Sequence, residues 1–322
     1  KPFSEYRKYF FRYASEFGFQ SFPSVKTLET VTDDPKELNP FSYVMEKHQR
    51  NYGGNGKIAK YMQAAYRYPE NFSDFVYASQ LLQADGIRYG VEHYRRNRGR
   101  CMGAIYWQLN DCWPVISWSS IDYYGRWKAL HYYAKRFFAP VMLSCEEQSW
   151  MTVEADMNRQ HFEFEKSIRL NVTNETLDAH RVLVKWAVRK TDATILREEE
   201  QWLEVPALSA VWMDKVELPQ IDCFNEYVSY EAWENDQIIS QGTVIFSYPK
   251  YFHYLNPGLA VRVDGDEIVV KAEAYAKSVE IRNENDDLIL EDNYFDMNAG
   301  EYRVKILDGK PDGLKVRSVY DI

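Results

Sequence analysis

The chain carries two patterns of hydrophobic and polar positions, which change near Pro140. Up to that residue, short apolar runs alternate with segments whose apolar residues recur every three to four positions. This alternation is typical of β-α units with parallel strands. After it, segments alternate apolar and polar residues and are separated by turns, which indicates antiparallel β-sandwich structure.

The first region predicts two strands and four helices. The strands are 12–19 (RYASEFGF) and 101–111 (CMGAIYWQLND), and their apolar content leads us to expect that both are buried. Helices are predicted over 41–50 behind a cap at Asn39-Pro40, over 57–68, over 74–98 with Ser73 as cap, and over 128–138. On the third helix, Phe75, Leu82 and Tyr89 share an apolar face. Two strands are too few for a stable sheet of their own.

The second region predicts seven strands, then a joint over 247–258, then a shorter β unit. The seven are 149–157, 162–174, 181–190, 197–205, 211–218, 226–234 and 238–246. The shorter unit opens at 259–275 with an Asp-Gly turn and continues through 278–283, 301–307 and 314–322. We therefore expect a multidomain α/β plus all-β protein with domains at 1–141, 142–248 and 249–322.

The charge balance and the spacing of cysteines and histidines limit which partners and which kinds of site the sequence predicts. The 39 Lys and Arg residues against 48 Asp and Glu give a net charge of −9. This balance argues against nucleic acid and anionic membranes as partners. The four cysteines lack paired spacing and the six histidines lack metal-ligand spacing, so we expect no disulfide scaffold, no metal site and a cytoplasmic protein. The basic segment 93–100 is expected to be the solvated end of a helix.

Glu16 is the candidate catalytic carboxylate. It lies at the C-terminal end of a predicted parallel strand, where barrel and open-sheet enzymes place their chemistry. Gly18 after it permits close backbone approach, and Gln20 offers hydrogen bonds. The alternative is a surface glutamate at the end of a strand.

The second strand ends in a segment suited to a sugar. Trp107 provides an aromatic face for stacking, and Asn110 and Asp111 provide short polar groups for hydroxyls. The same residues are also explained by a core tryptophan followed by a turn-forming Asn-Asp pair, and this alternative remains open.

These two segments carry a family resemblance. RYASEFGFQSFPS (12–24) and MGAIYWQLND…KRFFAPV (102–141) resemble the last part of the catalytic (β/α)8 TIM barrel of glycoside hydrolase family 2, in its β-mannosidase branch. The resemblance implies that Glu16 is the nucleophile and that Trp107 forms a wall of the sugar subsite. It also implies that Asn110 and Asp111 line the site, that the Trp107–Gln108 peptide bond is cis, and that two β-sandwich domains follow the barrel.

The implied activity is that of a retaining exo-β-mannosidase acting on terminal β-mannosides without a cofactor. The family's acid/base glutamate belongs to a barrel strand that this sequence does not contain, so we expect a fragment that is inactive alone. Another family 2 specificity (β-galactosidase or β-glucuronidase), a non-catalytic carbohydrate-binding fragment and a purely structural remnant remain alternatives. Open barrel edges make a homo-oligomer plausible.

Overall fold

The structure, a computed structural model, describes residues 3–153 and 163–322. It divides into two compact units built from separate stretches of the chain. The first unit comprises Lys1–Ser15, Arg88–Ala104 and Lys135–Tyr254, and the second comprises Glu16–Ile87, Ile105–Ala134 and Leu255–Ile322.

The region before Pro140 contains five α-helices and two strands among its described residues. The helices are α1 (Val25–Leu28), α2 (Tyr43–Lys47), α3 (Gly54–Ala65), α4 (Phe72–Arg96) and α5 (Ala129–Phe137), and the strands are β1 (Ala14–Phe17) and β2 (Ala104–Tyr106). Phe75, Leu82 and Tyr89 on α4 are all buried, as predicted.

Strands β1 and β2 pair with each other in a two-stranded sheet. The Ala14 amide donates to the Gly103 carbonyl at 2.9 Å, and the Trp107 amide donates to the Phe17 carbonyl at 2.7 Å, so both strands run in the same direction. The expectation of buried strands is wrong, because Ala14 is the one buried residue in the two described strands. A parallel strand is buried on both faces only within a wider, covered sheet.

Two helix starts differ from those predicted. The Ser42 hydroxyl, rather than Asn39, caps α2 by accepting from the Met45 amide at 3.2 Å. At α4 the Asn71 side chain, rather than Ser73, accepts from the Asp74 amide at 2.9 Å. These residue types are all good caps, and the position of the first helical turn decides which one is used.

The basic end of α4 is buried, contrary to prediction. His93, Arg95 and Arg96 are all less than one-tenth exposed. Arg95 donates to the Phe137 carbonyl at 2.7 Å, and Arg96 lies 3.5 Å from the Glu92 carboxylate. Backbone and carboxylate acceptors thus replace part of the water that a solvated helix end would use, while Nη2 of Arg95 and Nε of Arg96 are buried without a hydrogen bond in the described structure.

The first unit contains a sandwich of two antiparallel sheets. Its strands are β3 (Val141–Gln148), β4 (Ser167–Asn174), β5 (His180–Lys190), β6 (Ile195–Val205), β7 (Ser209–Trp212), β8 (Val216–Glu217), β9 (Glu226–Glu234) and β10 (Gln237–Ile245). One sheet has the order β3-β4-β7, with β8 also on β4, and the other has the order β10-β9-β5-β6. Inward-facing side chains such as Val172, Val184 and Phe246 form the core.

The first sandwich strand lies earlier than predicted. β3 covers 141–148, whereas 149–157 was expected, and Trp150–Thr152 form a short 3-10 helix instead. The rest of that predicted strand, from 154, lies outside the described residues. The Ser149 amide donates to the Thr152 hydroxyl at 2.9 Å, and this local hydrogen bond competes with extended structure at this point.

The second unit contains the other sandwich. Its strands are β11 (Ala260–Asp264), β12 (Glu267–Ala272), β13 (Ala276–Arg282), β14 (Ile289–Leu290), β15 (Phe295–Met297), β16 (Gly300–Asp308) and β17 (Lys315–Arg317). The predicted Asp-Gly turn joins β11 to β12, and Gly265 has φ +67°. The Ser24 hydroxyl donates to Asp286 at 2.8 Å and ties the segment after Glu16 to this sandwich. The prediction of β-sandwich structure is confirmed.

Candidate active site

Glu16 lies in β1 with an exposed side chain. Among the described residues, nothing forms a hydrogen bond or an ion pair with its carboxylate. A nucleophilic carboxylate must be ionised, and the described part of the chain provides no hydrogen-bond donor or cation in contact with this one. The next residue, Phe17, accepts the Trp107 amide at 2.7 Å, so the structure brings Glu16 and Trp107 to the ends of paired strands.

Trp107 presents about half of its surface, 49%, to solvent. Its carbonyl group faces Gly18: a Cβ atom on Gly18 would lie 2.3 Å from the Trp107 oxygen and 2.9 Å from Cδ1 of Trp118. This is the close backbone approach that the sequence predicted for Gly18. The Trp107–Gln108 peptide bond is cis, as the resemblance implied.

Asn110 and Asp111 are adjacent but differ in environment. The Asp111 carboxylate accepts from the hydroxyls of Ser117 at 2.7 Å and Ser119 at 2.5 Å, and from Gln108 Nε2 at 3.1 Å. The Asn110 side chain is exposed and makes no hydrogen bond within the described residues. Asp111 therefore shapes the loop, while the Asn110 amide is available to a ligand.

Gln20 does not reach the carboxylate of Glu16 but supports a neighbouring loop. It is buried, donates to Gln49 Oε1 at 2.8 Å and accepts from Asn51 Nδ2 at 3.2 Å.

Residues 3–153 and 163–322 hold no group of three or more His, Cys, Asp or Glu side chains suited to a metal ion. Of the six histidines, His161 lies outside these ranges. No helix within them has the length and apolar character needed to cross a membrane.

Family models match both sandwiches. The model of the mannosidase Ig/CBM-like domain matches residues 166–251, and a model described as an Ig-fold domain matches residues 254–322. β-Mannosidase B of Thermothelomyces thermophilus is 30% identical over 96% of this chain and 39% of its own length. β-Mannosidase of Capra hircus is 39% identical over 41% of this chain and 16% of its own length.

A solved structure extends the similarity over nearly the whole chain. The β-D-mannosidase of Dictyoglomus thermophilum has a TM-score of 0.84 and 25% identity, covering 99% of this chain and 38% of that protein. The chain belongs to glycoside hydrolase family 2, in its β-mannosidase branch. It corresponds to the C-terminal portion of such proteins and spans about two fifths of the relatives that it matches over most of its length.

One more distant structure shares the fold of this family 2 chain. The exo-chitosanase CsxA of Amycolatopsis orientalis has a TM-score of 0.69 at 16% identity, covering 99% of this chain and 45% of that protein. At this identity the similarity concerns the fold alone.

Gln83, which the sequence did not single out, joins both segments of the candidate site. It is fully buried on α4, where its Nε2 donates to the carbonyl of Phe19 at 2.8 Å and of Trp118 at 3.0 Å. Its Oε1 accepts from the Ser21 hydroxyl at 2.7 Å. One amide thus fixes the segment after Glu16 against the loop after Trp107.

Lys128, also unpredicted, is buried behind the same two segments. Its ammonium group lies 3.4 Å from the Ser21 carbonyl and 3.5 Å from the Ser117 carbonyl. Burial lowers the pKa of Lys128 to about 8, against the opposing attraction of Asp111 and Asp122. No sequence signal separates this lysine from a solvated one, because its burial depends on partners distant in sequence.

Proposed function

We propose that this chain supplies the nucleophile and one wall of the sugar site of a retaining exo-β-mannosidase. The observation that carries the proposal is the pairing of β1 with β2, which brings the exposed carboxylate of Glu16 and the exposed indole of Trp107 to adjacent strand ends. The relatives named β-mannosidase favour mannose as the sugar.

In this proposal Glu16 attacks the anomeric carbon of a terminal β-mannoside while a second carboxylic acid protonates the leaving oxygen. Retaining glycosidases hold these two groups roughly 5–5.5 Å apart. Water, activated by that second residue, then releases the sugar from Glu16. Stacking on Trp107 holds the distorted ring. The mechanism uses no cofactor.

The family resemblance leads us to place the acid/base residue outside this sequence. The 322-residue chain alone is then expected not to hydrolyse unactivated mannosides. Turnover of a natural β-mannoside by the purified chain would contradict this part of the proposal.

We also propose that β1, β2 and the helices around them are the end of a (β/α)8 barrel, with domains at 1–141, 142–248 and 249–322. The exposure of Ile105 (51%) and Leu109 (56%) supports further barrel structure over this surface. A second copy of the chain covering the open edges is the alternative. The cytoplasmic location stays a prediction.

The test is mass spectrometry after exposure to an activated 2-fluoro-mannosyl donor, which needs little acid assistance. It is best run on the longest form of this chain, extended upstream, that can be expressed. A mannosyl adduct on the Glu16 peptide, absent in Glu16→Gln and kept in Glu29→Gln, is expected. Glu29 is an exposed glutamate that pairs with Lys26 and serves as the matched control.

The alternatives give different results. Another family 2 specificity would show faster reaction of aryl β-galactosides or β-glucuronides than of aryl β-mannosides with the extended form. A non-catalytic carbohydrate-binding fragment would bind sugar at Trp107 equally well in Glu16→Gln and would never form an adduct. A structural remnant would show neither binding nor an adduct.

A further inference from the structure

A pocket opens beside the candidate site within the second unit. It has a volume of about 310 Å³, at the lower end of the range of roughly 300–1,000 Å³ that small-molecule sites occupy. We call it the rim pocket and define it by its lining residues, which are Arg50, Gln108, Asn110, Asp111, Cys112, Trp113, Val115, Ile116, Ser117 and Trp118. Neither Glu16 nor Trp107 lines it, so it is distinct from the nucleophile and the proposed stacking wall.

The rim pocket is nonetheless adjacent to them. Gly18, two residues after Glu16, faces both the Trp107 carbonyl and the indole of Trp118, which lines the pocket. On the other strand, Gln108 follows Trp107 directly, and its amide donates to the Trp118 carbonyl at 3.1 Å. A ligand that reached from Trp107 past Gln108 would enter the rim pocket.

Polar groups in the pocket remain available to hydroxyls. Arg50 donates from Nη1 to the carbonyls of Lys47 and Gln49. Its other side-chain nitrogens form no hydrogen bond within the described residues. Among the residues that the structure describes, nothing bonds the side-chain amide of Asn110, and Gln108 uses its Nε2 atom but not its Oε1 atom. These groups combine donors and acceptors, which suits the hydroxyls of a sugar.

The pocket also has a rigid aromatic wall. The Trp113 ring stacks with His48 at 4.9 Å between ring centroids, and the Arg50 guanidinium lies 4.5 Å from the centroid of the indole. Asp111, the one carboxylate in the lining, already accepts from Ser117 and Ser119. The pocket is therefore preorganised and has no free anionic group that would select a cation.

From this geometry we propose that the rim pocket is the subsite for the second sugar of a β-mannoside, on the reducing side of the bond that Glu16 would cleave. Asn110, Gln108 and Arg50 bond its hydroxyls, and Trp113 and Trp118 bound the ring. The assignment as a reducing-side subsite rests on the proposed function. The ligand is a neutral β-linked mannose disaccharide.

Cys112 offers a test that needs no catalysis. It is an exposed free thiol in the lining of the pocket, whereas the half-buried Cys223 lies in the other unit and serves as an internal control. The alkylation rate of each thiol by iodoacetamide would be measured by peptide mass spectrometry on the 322-residue chain. The ligands would be β-1,4-mannobiose, or maltose as an α-linked control.

Mannobiose is expected to slow alkylation of Cys112 about threefold once its free concentration is about twice its Kd, with Cys223 unaffected and maltose without effect. In Asn110→Ala the protection should weaken, while circular dichroism confirms the fold. Equal Cys112 rates with mannobiose and maltose, or protection unchanged in Asn110→Ala, would overturn the proposal.

The adduct experiment on Glu16 separates the two proposals. An adduct on Glu16 without protection of Cys112 would support Glu16 as the nucleophile and would overturn the assignment of the rim pocket as a subsite. Protection of Cys112 without an adduct keeps the rim pocket as a sugar site and overturns the assignment of Glu16.

Discussion

Gly18 and Trp107 meet backbone to backbone: a Cβ atom on Gly18 would lie 2.3 Å from the Trp107 carbonyl oxygen. This distance is well inside van der Waals contact, and the neighbouring atom belongs to the backbone rather than to a flexible side chain. The spacing between the strand that carries Glu16 and the one that leads to Trp107 therefore depends on the absence of a side chain at position 18.

Gly18→Ala is expected to lower the free energy of unfolding by about 1–3 kcal/mol, the usual effect of overpacking. Urea denaturation would measure it. The control is Gly56→Ala in α3, where a Cβ atom would meet nothing within 4 Å. That variant should gain about 0.5–1 kcal/mol, since alanine favours helix. Equal effects at the two positions would show that the contact with Trp107 has no energetic importance.

Gln83→Leu should destabilise the protein and misplace both segments of the site. The change removes the side-chain donor to the Phe19 carbonyl and the acceptor of the Ser21 hydroxyl, at roughly 1–3 kcal/mol for each buried unsatisfied group, whereas the Trp118 carbonyl keeps the backbone amide of Gln108. Gln63→Leu, at an exposed position of α3, is the matched control. Denaturation gives the stability. The rate of adduct formation at Glu16, measured below the unfolding transition, reports the misplacement, and an unchanged rate would argue against a positioning role.

Truncation of Asp111 should destabilise the protein much more than truncation of Asn110. Asp111→Ala removes the acceptor for the Ser117 and Ser119 hydroxyls and is expected to lower the free energy of unfolding by about 1–3 kcal/mol. Asn110→Ala should change it by less than about 0.5 kcal/mol, because the side chain is exposed and makes no hydrogen bond in the described structure. Calorimetry of both variants would decide whether the loop depends on Asp111.

The sandwiches could be predicted from sequence because their burial follows a local pattern. In β5, Val182, Val184, Trp186 and Val188 occupy alternate positions and all four enter the core, and of the residues between them only Ala187 is also buried. The same reasoning failed for β1, whose apolar content suggested burial. Whether such a strand is buried depends on neighbouring strands, which its own residues do not encode.

The site residues that lie in a recognisable motif could be predicted from the sequence. The site residues that act through buried packing could not. Glu16, Gly18 and Trp107 lie in the segments that resemble the family, and the structure places these segments together. Gln83 and Lys128 resemble ordinary polar residues in the sequence. They become buried because they meet carbonyls that lie 11 to 107 positions away along the chain.

Lys128 should give the protein a distinctive pH dependence. Its pKa is about 8 in the folded state and 10.5 in the reference state, so the unfolded chain binds more protons than the native one between these values. Stability therefore rises with pH across this window. Below pH 8 both states carry the charge, and the cost of burying it, about 3 kcal/mol, is present in full.

The measurement is urea denaturation of the native protein and of Lys128→Met at intervals from pH 7 to pH 11. Other groups, tyrosines included, titrate in both proteins, so the difference between the two curves isolates Lys128. The native protein is expected to gain about 3 kcal/mol relative to the variant as the pH rises through the window. Lys60→Met, at an exposed position of α3, controls for the loss of a lysine as such. Parallel curves for the native protein and Lys128→Met would show that water reaches the ammonium group and that Lys128 is not the buried charge between the two segments of the site.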